Sequence, residues 1–243
     1  MEYFTIAKYQ DWEIDQDWTS SENDQFLKKG NERVRITSHK DKIQIKRSLT
    51  FNRYTKTWVY DKKSSVLRFY VMCFNQFPIS TAKFYNENGI LIKETDHDEP
   101  YSFSLKELIL KIKKEHDIDI EDNKQNVVVS RRIEEKIKKP VYEVYLPSKE
   151  SIGKRDYILI DGTTGDVLFE SAYYSHDDQS IPPFDQYLYS LESKEKEDNA
   201  YYKTYKGKEY TKKEWERFQD EWHQNYEERN TSINFWGNVL NRK

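Results

Sequence analysis

Between Arg33 and Thr95 apolar and polar positions alternate with a period of two, the spacing of a half-buried strand. The alternation is plain in Ile43-Gln44-Ile45, in Thr57-Trp58-Val59-Tyr60 and in the run Val66 to Phe74, where β-branched and aromatic residues dominate. Asp61-Lys62-Lys63-Ser64-Ser65 is a polar turn between two of these strands. The clearest hairpin joins Thr81 to Tyr85 with Ile90 to Glu94 through Asn86-Glu87-Asn88-Gly89, and its Asn-Gly pair predicts a type I′ turn. The whole stretch reads as antiparallel sheet.

The period then changes. Ser104-Leu105-Lys106-Glu107 is a capping box, and Leu105, Leu108, Ile109, Ile112 and His116 come next at helical spacing, with Lys106, Lys111, Lys113 and Lys114 mostly off that face. This predicts an amphipathic helix of about three turns that packs on a sheet. Val127 to Val129, Val141 to Leu146 and Tyr157 to Ile160 read as three further strands. Asp161-Gly162-Thr163-Thr164-Gly165 turns the chain into a fourth, Asp166 to Phe169. In that turn Gly162 and Gly165 are expected at positive φ, Asp161 and Thr164 as side-chain caps, and Val167 back in the core.

A helix succeeded by VYEVYLP and YILIDGTTGDVLFES resembles the PepSY module, over about residues 104–171. The resemblance implies a helix-plus-meander fold and an inhibitory or regulatory role, and it assigns no chemistry to these residues. A fainter likeness lies at Tyr85 to Glu94, which looks like one unit of MORN-type repeats; one copy is a hairpin, not an array.

From Ala172 to Tyr210 tyrosines are scattered among Ser, Asp, Glu and Lys, and Pro182-Pro183 interrupts regular structure. The expectation here is a long ordered loop or a short helix near Phe184 to Glu195, with a polar break at Lys194 to Asn199. Thr211-Lys212-Lys213-Glu214 is a second capping box, opening a helix with Trp215, Phe218, Trp222 and Tyr226 on one stripe. Ile233, Phe235, Trp236, Val239 and Leu240 suggest a last packed segment. The fold class expected is α+β: antiparallel sheets, a central amphipathic helix and a C-terminal helical region. Its parts are an N-terminal β-rich region (1–100), the PepSY-like helix and meander (101–172), and a Tyr-rich loop with a C-terminal helix (173–243).

Composition decides that such a polar chain folds at all. Mean hydropathy is -1.03 and 34% of residues are charged, yet the net charge is only -3 and 19 Tyr, 12 Phe and 6 Trp supply large buriable area. Seven Gly and six Pro exclude collagen-like and low-complexity classes. One cysteine, Cys73, excludes an intramolecular disulfide and cysteine zinc clusters, and fits a reducing compartment. The acidic N-terminus has no basic region leading into an apolar run, and no stretch approaches 18 consecutive apolar residues; the expectation is a cytoplasmic protein without a membrane span.

Catalytic signatures do not emerge, and no catalytic residue, metal or cofactor is assigned. Asp96-His97-Asp98-Glu99 and His176-Asp177-Asp178 place imidazoles among carboxylates, but neighbours in a turn point apart, so both read as solvated loops. Cys73 falls in an apolar strand, where a thiol is usually an inert core group. Glycine-rich phosphate loops and nucleophile motifs are missing. Binding is what the residues favour. Residues 31–90 carry twelve basic against four acidic residues, interleaved with Phe51, Tyr54, Trp58 and Tyr60, a pairing suited to single-stranded nucleic acid. The reading preferred is a non-enzymatic inhibitor of the immunity or antitoxin kind, which occludes a cognate bacterial toxin. Tyr173, Tyr174, Asp177, Asp178, Tyr187, Tyr189, Tyr201 and Tyr202 are its candidate partner-binding residues; the alternative is a nucleic-acid binder using segment 31–90.

Overall fold

The computed structural model describes residues 2–148, 153–174 and 181–222, and divides into two compact units, Met1–Ser180 and Ile181–Lys243. The first unit opens with a short 3-10 turn, Ile6–Tyr9, and an eight-stranded antiparallel sheet whose strands lie side by side in chain order. They are β1 (Glu13–Ile14), β2 (Asp24–Lys29), β3 (Glu32–Ser38), β4 (Lys42–Leu49), β5 (Tyr54–Asp61), β6 (Leu67–Phe74), β7 (Phe77–Tyr85) and β8 (Leu91–Asp96). The meander thus starts earlier than the alternation alone indicates, because β2 reads DQFLKK and hides little apolar area.

Register assigns the two faces of this sheet. Ile36 is opposite Ile45 and Ile45 opposite Trp58, so these side chains share one face with Val34 and Tyr60. The N-terminal arm covers part of it: Phe4, Tyr9 and Trp12 pack on the cluster of Val34, Ile36, Ile45, Tyr60 and Leu67. The Tyr60 hydroxyl donates to Glu2 at 2.8 Å. Farther along, Phe74, Phe77 and Ile79 leave the arm and enter a second, larger cluster.

That larger cluster joins the sheet to the helix and strands beyond residue 100. Helix α1 (Leu105–His116) starts at Ser104, whose hydroxyl accepts from the Glu107 amide while the Glu107 carboxylate accepts from the Ser104 amide. It stops at Asp117, held at φ +59. Leu108, Ile109 and Ile112 are buried against Tyr142, Val144, Ile158 and Ile160. These last belong to a four-stranded antiparallel sheet of order β12-β11-β10-β9, built from β9 (Val128–Glu134), β10 (Lys139–Pro147), β11 (Lys154–Asp161) and β12 (Val167–Tyr174). The expected boundary near residue 100 therefore separates two sheets that share one core.

Two turns differ in detail from expectation. At 86–90 only Gly89 has positive φ (+68), so the loop is not type I′; the Asn86 carboxamide oxygen instead accepts from the Asn88 and Ile90 amides. In the 161–166 turn Gly165 has φ +79, as expected, but Gly162 does not have positive φ. Gly162 is needed for close approach: a Cβ there would sit 2.7 Å from the Tyr101 ring and 3.0 Å from the Pro140 carbonyl oxygen. Asp161 accepts from the Thr163 and Thr164 amides and Thr164 from that of Asp166, so the capping holds. Val167 is exposed, however, because the chain is still leaving the turn there.

In the second unit, α2 (Pro183–Asn199) runs through the polar stretch at 194–199 without a break, since Lys and Glu are good helix formers. Next comes a hairpin, β13 (Tyr201–Tyr205) with β14 (Lys208–Thr211), closed by Lys206 and Gly207, both at positive φ as a type I′ turn requires. Residues 212–222 are helical behind the Thr211 capping box, in which the Glu214 amide donates to the Thr211 hydroxyl at 3.3 Å. Trp215 and Phe218 close on Tyr205 and Tyr210, with ring centroids 5.2 to 5.6 Å apart. Trp222 is exposed, and Tyr226 and the apolar stretch 233–240 lie outside the described residues.

Candidate functional site

The tyrosines expected to bind a partner are divided between the two units. Tyr174 ends β12 in the first unit and is half exposed; Tyr173 precedes it in the strand. Asp177 and Asp178 lie outside the described residues. Tyr187 is a correction: it sits one turn along α2 from Phe184, ring centroids 6.1 Å apart, and is buried, so it packs and offers no surface. Tyr189, two positions on, points away and is 56% exposed. Tyr201 and Tyr202 on β13 are 65% and 53% exposed.

The acidic candidates at 96–98 have structural partners. Asp98 accepts from the Ser80 amide and pairs with Arg131 at 2.7 Å, and Asp96 accepts from the Asp98 amide. Among the described residues no three His, Cys, Asp or Glu side chains gather as metal ligands would. Cys73 is half-buried on β6, and desolvation pushes its thiol pKa up, the direction that removes nucleophile character.

Two buried polar constellations escape sequence reasoning. Arg131, nearly inaccessible, lies 4.4 Å above the Tyr101 ring and 5.1 Å from that of Phe77, and donates to the carbonyls of Pro78 and His97. Glu143 is buried mid-strand, accepting from the Tyr157 hydroxyl at 3.0 Å and pairing with Arg132 at 2.8 Å. Burial, then the Glu143 charge, drives the Tyr157 pKa up. In VYEVYL nothing local distinguishes Glu143 from an outward polar residue.

The large sheet carries the concave sites. On the arm-covered face a cavity of about 310 Å³ is lined by Arg47, Tyr54, Lys56 and Trp58, with Glu32 holding Arg47. On the opposite face a cleft of about 370 Å³ crosses β2 to β5, lined among others by Trp18, Phe26, Arg33, Arg35, Lys46 and Arg53. The acidic N-terminal stretch neutralises part of its charge: Arg33 pairs with Asp15 at 2.8 Å and with Asp17, and Arg35 with Asp24 at 2.5 Å. The Arg35 bond holds the Asp24 carboxyl below the usual carboxylate range. Two arginines of basic segment 31–90 are thus answered by its upstream neighbours.

A scan of protein-family models, a search of curated proteins and a search of solved structures each find no match. The site is read from geometry alone. The geometry offers exposed aromatic and apolar surface and a basic cleft. The outer strand β8 adds apolar exposure. Among the described residues β8 pairs with β7 alone, and Ile90 just before it, Leu91 and Ile92 are 59%, 43% and 64% exposed.

Proposed function

We propose that this chain is a non-enzymatic protein-binding inhibitor of the immunity or antitoxin type, acting in the cytoplasm by covering a cognate toxin, with a PepSY-like helix and meander at 104–171 as its scaffold. The observation that carries this reading is the free edge at β8. An edge strand offers a row of unpaired backbone donors and acceptors, and soluble proteins normally blunt such an edge with charge or cover. Here Lys93 and Glu94 are charged, but Ile90, Leu91 and Ile92 leave apolar side chains on both faces of the strand. A partner strand added to β8 would gain main-chain hydrogen bonds together with apolar contact. Tyr174, Tyr189, Tyr201 and Tyr202 supply further amphipathic contact area.

The test is a binding titration against any toxin found encoded beside this gene. Ile92→Lys and Leu91→Lys should each weaken the complex by about tenfold or more, consistent with loss of a buried apolar anchor, while the melting temperature of the free protein stays within about 2 °C. A complex of undiminished affinity in both variants, or no complex at all, removes the edge-strand reading.

A further inference from the structure

The cleft on the opposite face of the large sheet is not needed for strand addition at β8, and its chemistry is different. Alternation puts Arg33 and Arg35 of β3, Lys46 and Ser48 of β4, and Thr55 of β5 on one face; register sets Arg35 beside Lys46 and Ser48 beside Thr55. At its β2 end an indole is laid flat on a phenyl ring: Trp18 and Phe26 are 5.4 Å apart at 9°. Arg35 lies 5.1 Å from the Phe26 centroid. Trp18 is nonetheless 54% exposed, so much of its ring is open to a further planar group.

At the β5 end the cations form no direct ion pair among the described residues, although the Asp122 carboxylate is near enough to Arg53 to act on it. Arg53 is part-buried and spends its donors on neutral acceptors, the carbonyls of Asp122 and Gln125 and the Asn75 side chain at 3.0 Å. Lys46 is exposed and forms no ion pair among the described residues. A partly desolvated cation whose donors reach no carboxylate directly favours an anion placed beside it, more strongly than a fully solvated one would. The Ser48 and Thr55 hydroxyls lie between and can donate to the same anion. At about 4.8 Å per strand and 3.4 Å per residue, register sets the Lys46 backbone roughly 10 Å from that of Phe26, Ser48 roughly 12 Å, and Arg53, four residues before the Thr57 that lies level with Phe26, roughly 20 Å. The volume, about 370 Å³, falls at the lower end of the small-molecule range of about 300–1,000 Å³.

We propose that this cleft binds a nucleotide unit, its base stacked on Trp18 and its phosphate held by Lys46 and Arg53. The ring and the anion could arrive as a free nucleotide or as one residue of a single strand, and both present the same chemistry. Arg33 and Arg35, held by their aspartates, form the floor between the two ends and contribute orientation more than net charge.

The experiment is calorimetric titration of the full chain at low salt with 5′-AMP, adenosine, inorganic phosphate and a short oligothymidylate. AMP should bind about tenfold or more tighter than adenosine or phosphate alone, because it alone among the three engages both ends. Lys46→Glu and Trp18→Ala should each weaken it by about tenfold or more, a loss matching one stacked base or one desolvated charge contact. Both side chains are exposed, and unchanged melting curves confirm that the variants fold. Lys106→Glu, an exposed cation on α1, should leave affinity unchanged. If the oligonucleotide binds tighter than AMP with affinity falling steeply in salt, the unit belongs to a strand; if it binds no better, the ligand is a free nucleotide. Absence of binding to AMP and oligonucleotide alike overturns the proposal. So does binding that survives both cleft variants, or that phosphate alone reproduces, or that Lys106→Glu weakens equally. Each of these outcomes is independent of whether a toxin complex forms.

Discussion

The two sheets of the first unit bury their residues in opposite ways. In the four-stranded sheet Tyr142, Val144, Ile158 and Ile160 face α1, while Val141, Tyr157 and Leu159 point the other way, and all seven are 2% exposed or less. The eight-stranded sheet hides only patches, under the N-terminal arm and against α1, and leaves a cleft, a cavity and an apolar edge open. One sheet is fixed from both sides. The other is held at its margins and presented between them. The concave open surface lies on the second, whereas the exposed large hydrophobic residues of the first, Val128, Ile133, Val167 and Tyr174, sit on its outer strands β9 and β12.

Removing core volume breaks that comparison most directly. Leu159→Ala should cost about 2–5 kcal/mol, read as a drop in the urea midpoint, because a fully buried leucine leaves a cavity that a strand between two neighbours cannot close. Ile43→Ala on the large sheet, only partly buried, should cost less than half as much. Equal losses would mean that the two sheets are equally packed. The second-largest effect is expected at Gly165, at φ +79 with a Cβ position 2.5 Å from the Phe103 ring: Gly165→Ala should cost roughly 1–3 kcal/mol in the same measurement. Gly30 has positive φ too, but open space around it, so Gly30→Ala should retain only the smaller backbone penalty of about 1 kcal/mol.

Local grammar was legible and long-range partnership was not. Ser104 with Glu107 and Thr211 with Glu214 are four-residue motifs, and each reaches its own cap in the structure. The Lys206-Gly207 turn carried its signal as well, masked by the tyrosines around it. Arg131 is another matter: its partners Asp98, Pro78 and the Tyr101 ring come from segments 30 or more residues upstream, and no window of sequence contains them. The same holds for the site. The mixture of basic and aromatic residues in 31–90 is visible in the chain, but which arginines are neutralised depends on Asp15, Asp17 and Asp24 folding back across β2 and β3. Val167 and Tyr187 fail for the converse reason, since residue type predicts burial only until a turn or a helix face decides it.

The smallest effect separates the sheets by pH. Tyr142, on the doubly buried sheet, donates from its hydroxyl to the Phe103 carbonyl at 3.1 Å, and desolvation pushes its pKa up to about 12. An unfolded tyrosine ionises near 10, so between those values the unfolded chain loses a proton that the folded chain keeps. The neutral hydroxyl therefore contributes its full stabilisation below about pH 10, and that contribution drains away as pH rises through 12. Tyr142→Phe should cost about 1 kcal/mol at neutral pH for the lost hydrogen bond and should flatten the alkaline decline between those limits. On the large sheet Tyr60 is raised as well, by burial first and then by its bond to Glu2, a residue of the arm. Tyr60→Phe should flatten the same decline, and so should Glu2→Gln in part, because there the shift depends on a carboxylate acceptor that the Tyr142 hydroxyl, bonded to a carbonyl, does not have. A decline that responds to Glu2→Gln as strongly as to Tyr60→Phe would show that the arm, more than burial, protects that hydroxyl.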